Sequence, residues 1–320
     1  MLMNLDSETE GEMYVGCAGG IDANIDRDVM MEKTPDHFKG YRLFISGLKG
    51  GHSGMDINLG RATANKLITR ILMASKEAFA IRISSIHGGN MRNAIAREAE
   101  AIIAVAQDKT AGLEQLIKQC AATLQKEFAN TEPDLSITLT GVDTPAEVLA
   151  PCCDTPVLQL AYAIPHGVLR MSSSVPDLVE TSNNFSIFTV ENGKMFMANL
   201  IRSSVNSAKD AVGKKVKAIA ELAGARISLT GGYPGWNPNI NSLILKTATE
   251  VYKKKYGQEP KIMAIHAGLE CGLFGVNYDW DMISFGPTIE HPHSPDERVN
   301  IASVGKFWDF LTELIQNIPE

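Results

Sequence analysis

The stretch that decides the fold is DMISFGPTIEHPHSPDE, residues 281–297. It begins as a short apolar strand and continues into a loop that contains three prolines and two histidines. Proline fixes the backbone angle φ and removes an amide donor, so this loop is stiff. A stiff loop at the end of a strand can hold an imidazole ring in place, which makes His291 and His293 candidate functional residues.

The segments around this loop alternate between strand and helix. Residues 261–268 are predicted as a second short apolar strand that ends in a glycine-containing loop, and residues 241–256 and 302–318 have helical spacing. Strands that alternate with helices favour a parallel α/β arrangement. Ligands bind to such sheets at the loops beyond the carboxyl ends of the strands, and the loop at 286–297 lies there.

The middle of the chain has a different pattern. Its predicted elements run strand, helix, strand, strand, helix, strand from about residue 39 to 140, and a related order follows around the tight-turn signal at residues 191–193. We therefore predict an α+β domain of antiparallel sheet faced by helices at residues 21–232. No internal repeat is evident in it, and the proline-rich stretch 141–177 is predicted to connect its two halves.

Composition excludes several classes of function. A net charge of −7 does not provide the clustered basic charge of a nucleic-acid footprint, and Lys253 to Lys255, flanked by acidic residues, are predicted to be a solvated helix face. No apolar run approaches the roughly 18 residues of a membrane span, and the first residues do not resemble a signal peptide. The cysteine count is odd, at five, with no CxxC pair, so a reducing compartment such as the cytoplasm is expected.

Two residues are candidate metal ligands. Asp6 closes the first apolar strand, and a carboxylate at a strand end is a reasonable zinc ligand once it has partners. His293 follows a buried-looking strand, although a loop histidine taken alone is more often a surface residue. His291 and His293 are alternate residues on an extended chain, so their rings point in opposite directions and do not suit one metal.

Five further residues are candidates for contact with a substrate. His52 lies in GGHSG, where the flanking glycines let the backbone approach a ligand closely. Asn93 and Arg202 lie in strand-like stretches, and a guanidinium suits the bidentate binding of a carboxylate. Gly268 and Glu270 belong to GLECG, a glycine-rich loop after a strand, which by itself is equally typical of a plain turn. HExxH and the phosphate-binding loop are absent, and GxSxG fails because Met55 holds its last position.

Taken together, these stretches resemble the aminoacyl-histidine dipeptidases, which belong to a clan of two-zinc exopeptidases. Any one match is weak, but the six occur in family order over nearly the whole chain. They are NLDSETEGEMYVGCAGGID, GLKGGHSG, RNAIAREA, GGYPGWNPN, HAGLECGLF and GPTIEHPHSPDE.

The resemblance implies a fold and a division of the chain. It implies a three-layer αβα catalytic domain, here partial, at residues 1–20 and 233–320, interrupted by a lid at residues 21–232. It also implies a cytoplasmic homodimer that associates through the lid.

The resemblance also implies residue roles. Asp6 would bind one zinc and His293 the other, although manganese or cobalt is an alternative, and His291 would be a bystander. His52 would polarise the scissile carbonyl of a dipeptide, and Arg202 and Asn93 would bind its carboxylate end. Gly268 and Glu270 would line the substrate site.

The sequence departs from the family pattern in two places, and both affect the activity that we expect. Ala96 stands where the family usually has proline, which would loosen the turn at Asn93. The family's His-x-Asp pair, bridging aspartate and Glu-Glu pair have no match in the sequence. We therefore expect a C-terminal part of a dipeptidase that is inactive alone. The alternative is a non-catalytic lid remnant that binds peptides or partners.

Overall fold

The computed structural model describes residues 1–292 and 295–318. The strands are β1 (Leu2–Asn4), β2 (Glu12–Cys17), β3 (Gly19–Asp28), β4 (Met31–Lys33), β5 (Phe38–Ser46), β6 (Gly51–His52), β7 (Arg82–Gly88), β8 (Ala94–Ile95), β9 (Ala99–Ala106), β10 (Ser136–Val142), β11 (Glu147–Leu149), β12 (Gly167–Met171), β13 (Val179–Glu191), β14 (Lys194–Ser203), β15 (Arg226–Tyr233), β16 (Lys261–Ile265), β17 (Met282–Ser284), β18 (Ile289–Glu290) and β19 (Arg298–Val299). The helices are α1 (Ala64–Phe79), α2 (Thr110–Glu127), α3 (Pro151–Ala163), α4 (Asn206–Leu222), α5 (Leu243–Tyr256), α6 (Glu270–Asn277) and α7 (Ile301–Gln316).

The two ends of the chain build a small α/β part around the sheet β1-β17-β2-β16. Met3 and Ile283 pack with α5 and α7 on one face, whereas their strand neighbours Leu2 and Met282 pack near α6 on the other. Alternate residues of a strand point to opposite faces, so helices lie on both sides of this sheet. β1 and β17 are parallel, as are β2 and β16, but β17 and β2 are antiparallel. The α/β prediction for this region is therefore confirmed, although the sheet is mixed rather than parallel.

The middle of the chain, which we call the lid, contains a long antiparallel sheet of order β10-β5-β9-β7-β13-β14-β3-β15. It consists of two units with the same topology. Unit 1 is β5-α1-β7-β9-α2-β10, and unit 2 is β3-α3-β13-β14-α4-β15. In each unit the spatial order of the strands is fourth, first, third, second, and the second strands, β7 and β13, join the units. Unit 1 is inserted into unit 2 between its first strand and its first helix.

The middle of the chain thus contains an internal repeat that was not evident from its sequence. The fourth strand of unit 1 contains ITLTG at residues 137–141, and the fourth strand of unit 2 contains ISLTG at residues 227–231. Four of the five residues are identical, and a match this short is not noticed without the topology. The insertion of one unit into the other also hides the repeat, because the copies do not follow each other in the sequence.

The stretch 141–177 is not a plain connection, as the sequence suggested, because it contains α3. Pro151 occupies the first turn of this helix, where its missing amide costs nothing. Its apolar face is buried against α1, and Lys66 of α1 donates to the carbonyls of Ala161, Tyr162 and Ile164 at its end. The prolines hid a helix that packing and this cap stabilise.

Two chain segments connect the lid to the α/β part, and they run side by side. The amide of Cys17 donates to the carbonyl of Trp236 at 2.9 Å, and the amide of Trp236 donates back to Cys17 at 2.8 Å. A Cβ on Gly19 would lie 2.4 Å from the nitrogen of Gly235, so the two strands touch backbone to backbone. The two connecting segments are therefore closely packed against each other. None of the described helices is long and apolar enough to cross a membrane.

Candidate active site

Three of the predicted substrate residues, His52, Arg202 and Gly268, come together where the lid contacts the loop after β16. His52 ends the short strand β6, which follows β5 in unit 1, and Arg202 comes from β14 in unit 2. Gly268 lies in the loop between β16 and α6. The pairing of β7 with β13 places unit 1 beside unit 2, so that both units reach the same loop of the α/β part.

His52 is held as a hydrogen-bond donor. Its Nδ1 accepts the backbone amides of Gly54 at 3.3 Å and Met55 at 3.2 Å, so the proton of the neutral ring is on Nε2. Burial, and then the charge of Arg202, lower the pKa of His52 below its ordinary value. The turn after His52 requires glycine at position 54, because a Cβ there would lie 2.3 Å from the carbonyl oxygen of His266.

Arg202 is a nearly buried guanidinium with spare donors. It is 6% exposed, and its Nη1 donates to the hydroxyl of Tyr233 at 3.0 Å. Its Nε makes no hydrogen bond. Among the described residues no carboxylate forms a salt bridge with it, and the nearby Asp22 is paired with Arg92 at 3.4 Å. A buried cation of this kind favours an anionic ligand.

Asn93 lies exposed on a turn that is tied to His52. The amide of Ser53 donates to the carbonyl of Asn93 at 2.8 Å. The side chain of Asn184, on β13, donates to the carbonyls of Arg92 at 3.2 Å and Ala94 at 2.8 Å. The turn is therefore supported from both sides.

The loop after β16 brings one residue that the sequence analysis missed. His266 is 6% exposed, and its Nε2 lies 2.8 Å from the hydroxyl oxygen of Ser182 on β13. Gly268 packs against the ring of Tyr233, and Glu270, in the first turn of α6, accepts a hydrogen bond from Asn4 at 3.1 Å. A histidine at the carboxyl end of an apolar strand was the signal that would have found His266.

Asp6 lies at the same edge of the α/β sheet as the loop at 286–292. The hydroxyl groups of Ser7 and Ser284 are 2.6 Å apart, and the amide of Ile289 donates to the carbonyl of Glu8 at 3.0 Å. Asp6 itself is exposed. His291 is also exposed, and His293 lies outside the described residues.

The described donor set does not fit a metal centre by itself. Over residues 1–292 and 295–318, no three side chains of His, Cys, Asp or Glu converge on a point that a metal ion would fill. A catalytic zinc needs about three protein ligands. Asp6 provides one donor at the strand edge, so we derive no chemical step through a metal.

The chain is similar to known peptidases. The family of the peptidase dimerisation domain (M20_dimer) matches residues 45–132, within unit 1. The chain is 44% identical over 321 residues to the cytosol non-specific dipeptidase of Escherichia coli K12, which covers all of the chain and 66% of that protein. It is 43% identical to the crystal structure of aminoacylhistidine dipeptidase from Vibrio alginolyticus, with a TM-score of 0.97 over all of the chain and 66% of that structure.

The chain thus spans about two thirds of the length of both relatives. Both relatives are dipeptidases by name, and the matched domain is a peptidase domain. Because the similarity extends over every part of the sequence, the chain belongs to the M20 peptidase family.

Proposed function

We propose that this chain belongs to a metallodipeptidase that hydrolyses aminoacyl-histidine dipeptides in the cytosol. The observation that carries the proposal is the buried guanidinium of Arg202, which has no carboxylate partner among the described residues and lies beside the neutral donor ring of His52. The kinship with two dipeptidases supports the substrate class. The domain division that we propose is 1–20 and 233–320 for the catalytic domain and 21–232 for the lid.

Each site residue has a proposed role. Arg202 and Asn93 bind the carboxylate end of the dipeptide, which restricts the site to short peptides. His52 donates from Nε2 to the carbonyl oxygen as negative charge develops on it, and so stabilises the oxyanion. Gly268 and Glu270 line the side of the site that the α/β part provides.

Asp6 and His293 are the proposed zinc ligands, one for each of two ions. When it is bound, the metal would supply an activated water. One donor per ion binds weakly, so we propose that these residues alone retain little metal and that the chain by itself does not turn over. A homodimer through the lid would use the outer strands β10 or β15, because β7 and β13 already pair with each other.

Dipeptide binding tests the substrate site independently of turnover. We expect calorimetry to show that a histidine-terminated dipeptide binds the chain, and that Arg202→Met weakens this binding at least tenfold, since a charge-assisted contact is lost. Arg70→Met is the matched control, because Arg70 on α1 is already paired with Glu127 on α2 at 2.8 Å. Equal affinity in the wild type and Arg202→Met would contradict the assignment.

A non-catalytic peptide-binding lid is the second candidate, and the absence of a donor cluster among the described residues favours considering it. Metal analysis and a turnover assay separate the two. Dipeptide hydrolysis with added zinc, well above the level of an Asp6→Ala, His293→Ala variant, would support the enzyme and contradict our proposal of inactivity. Binding of the dipeptide without turnover or tightly held metal would support the lid alone.

A further inference from the structure

His266 contacts both units of the lid, and the proposed reaction does not use it. Its ring lies 2.8 Å from the hydroxyl oxygen of Ser182, which is fully buried on β13. Ser182 is directly opposite Arg202 in the register of β13 and β14. The ring of His266 therefore reaches unit 2 next to the residue that is proposed to bind the substrate carboxylate.

The main chain of His266 reaches unit 1. An ideal Cβ on Gly54 would lie 2.3 Å from the carbonyl oxygen of His266 and 3.2 Å from Cε1 of His52. One residue of the α/β part is thus in contact with the turn that carries His52 and with the strand next to Arg202.

The environment keeps the ring of His266 neutral. Burial, and then the charge of Arg202, lower the pKa of His266 to about 3, against the opposing effect of the Val179 carbonyl. A neutral ring does not compete with Arg202 for a bound anion. The Val179 carbonyl interacts with the ring without a hydrogen bond of standard geometry, so the contact with Ser182 is the one well-formed hydrogen bond of the ring among the described residues.

We propose that His266 is a positioning residue. Through its hydrogen bond to Ser182 it sets the separation between the lid residues Arg202 and His52 and the loop that carries Gly268 and Glu270. That the gap between them holds a dipeptide rests on the proposed function, whereas the positioning itself does not.

The first test measures amide hydrogen exchange of the full chain without ligand. We expect Ser182→Ala and His266→Ala to increase exchange at residues 262–270 and 179–184 about tenfold, because the contact that holds the two segments together is lost. His266→Gln should restore protection, since its amide nitrogen can reach Ser182.

Ser186→Ala is the matched control. Ser186 is fully buried on the same strand, but its hydroxyl donates within the lid, to the carbonyl of Ala198 at 3.0 Å. It should leave exchange at residues 262–270 unchanged. If Ser182→Ala behaves as Ser186→Ala does at this segment, the positioning role is wrong.

The second test measures dipeptide affinity in the same variants. We expect Ser182→Ala to raise the dissociation constant about three- to tenfold, and His266→Gln to stay near the wild-type value. A Ser182→Ala chain that exchanges faster but binds the dipeptide with unchanged affinity would overturn the link between this contact and the site. If the wild type binds no dipeptide, the proposed function fails, and the exchange experiment still decides the positioning.

Discussion

At the scale of single residues, the chemistry of the site depends on what each side chain contacts. His52 is a donor because two backbone amides occupy its Nδ1. Arg202 is available to an anion because Asp22, the nearby carboxylate, is already paired with Arg92. Neither property can be inferred from the residue type. The tautomer of His52 is set by amides two and three residues further along the chain, whereas the availability of Arg202 depends on a pair, Asp22 and Arg92, that is distant in sequence.

Gly54 provides a test at this scale. We expect Gly54→Ala to lower the free energy of unfolding by about 1–3 kcal/mol, because the new methyl group would overlap the carbonyl of His266 and press on His52. Dipeptide affinity should fall as well. Urea unfolding and calorimetry measure the two effects.

Gly141→Ala is the control for this substitution. Nothing lies within 4 Å of the Cβ that it would add on β10. It should therefore leave stability near the wild-type value. A Gly54→Ala chain as stable as Gly141→Ala would mean that the contact between the lid and His266 is looser than described.

At the scale of elements, β13 is the strand that organises the site. Its buried polar side chains bind segments from three parts of the chain: Ser182 contacts His266, Asn183 donates to the carbonyl of Pro165, and Asn184 supports the turn at Asn93. Burial of so many polar groups is costly unless each finds a partner. On β13, polar side chains therefore occupy buried positions that apolar side chains could fill, and they hold these loops in place.

Asn184 tests this interpretation. We expect Asn184→Ala to destabilise the fold by about 1–3 kcal/mol, because two partly buried carbonyls lose their donor. Asn317→Ala removes a similar bond, from Asn317 to the carbonyl of Glu313 at 2.8 Å, but at an exposed helix end. Thermal unfolding should show a clear loss for the first substitution and little change for the second. Equal effects would contradict a supporting role for Asn184.

Local patterns predicted most of the elements but not how they combine. The alternation around residues 39–49 predicted β5, and the turn at Asn192 and Gly193, which both have positive φ, predicted the hairpin of β13 and β14, whereas β3 was not predicted. The helix α3 was missed because its prolines lower helix propensity, and burial against α1 outweighs that preference. His266 was missed because its role arises only from contact with Ser182, 84 residues away in sequence.

At the scale of the whole molecule, the lid and the α/β part differ in how well their surfaces are covered. The lid encloses a large apolar core between its sheet and four helices. In the α/β part, α7 exposes a stripe of large apolar side chains, with Ile301 85%, Trp308 61% and Ile315 53% exposed. Apolar patches of this kind promote association.

We expect the chain to associate reversibly with increasing concentration, and Trp308→Glu to reduce this association. Light scattering coupled to size-exclusion chromatography measures it. Leu222→Glu is the control, because Leu222 on α4 is 89% exposed but outside the stripe. Association that persists unchanged in Trp308→Glu would indicate another interface, such as the lid strands β10 or β15.

The stability of the whole molecule should also depend on the charge state of His266. Its pKa is about 3 in the folded chain and takes the ordinary value of about 6.5 in the unfolded chain. Its contribution is therefore fully present above pH 6.5. Below that pH the unfolded chain binds a proton that the folded chain does not, so the free energy of unfolding falls by up to about 1.4 kcal/mol per pH unit. His266→Gln should remove this slope between pH 6.5 and 5, while His52 and His166 contribute equally to both proteins. Urea unfolding across that range measures the difference, and identical slopes would mean that the ring of His266 is open to protons in the folded state.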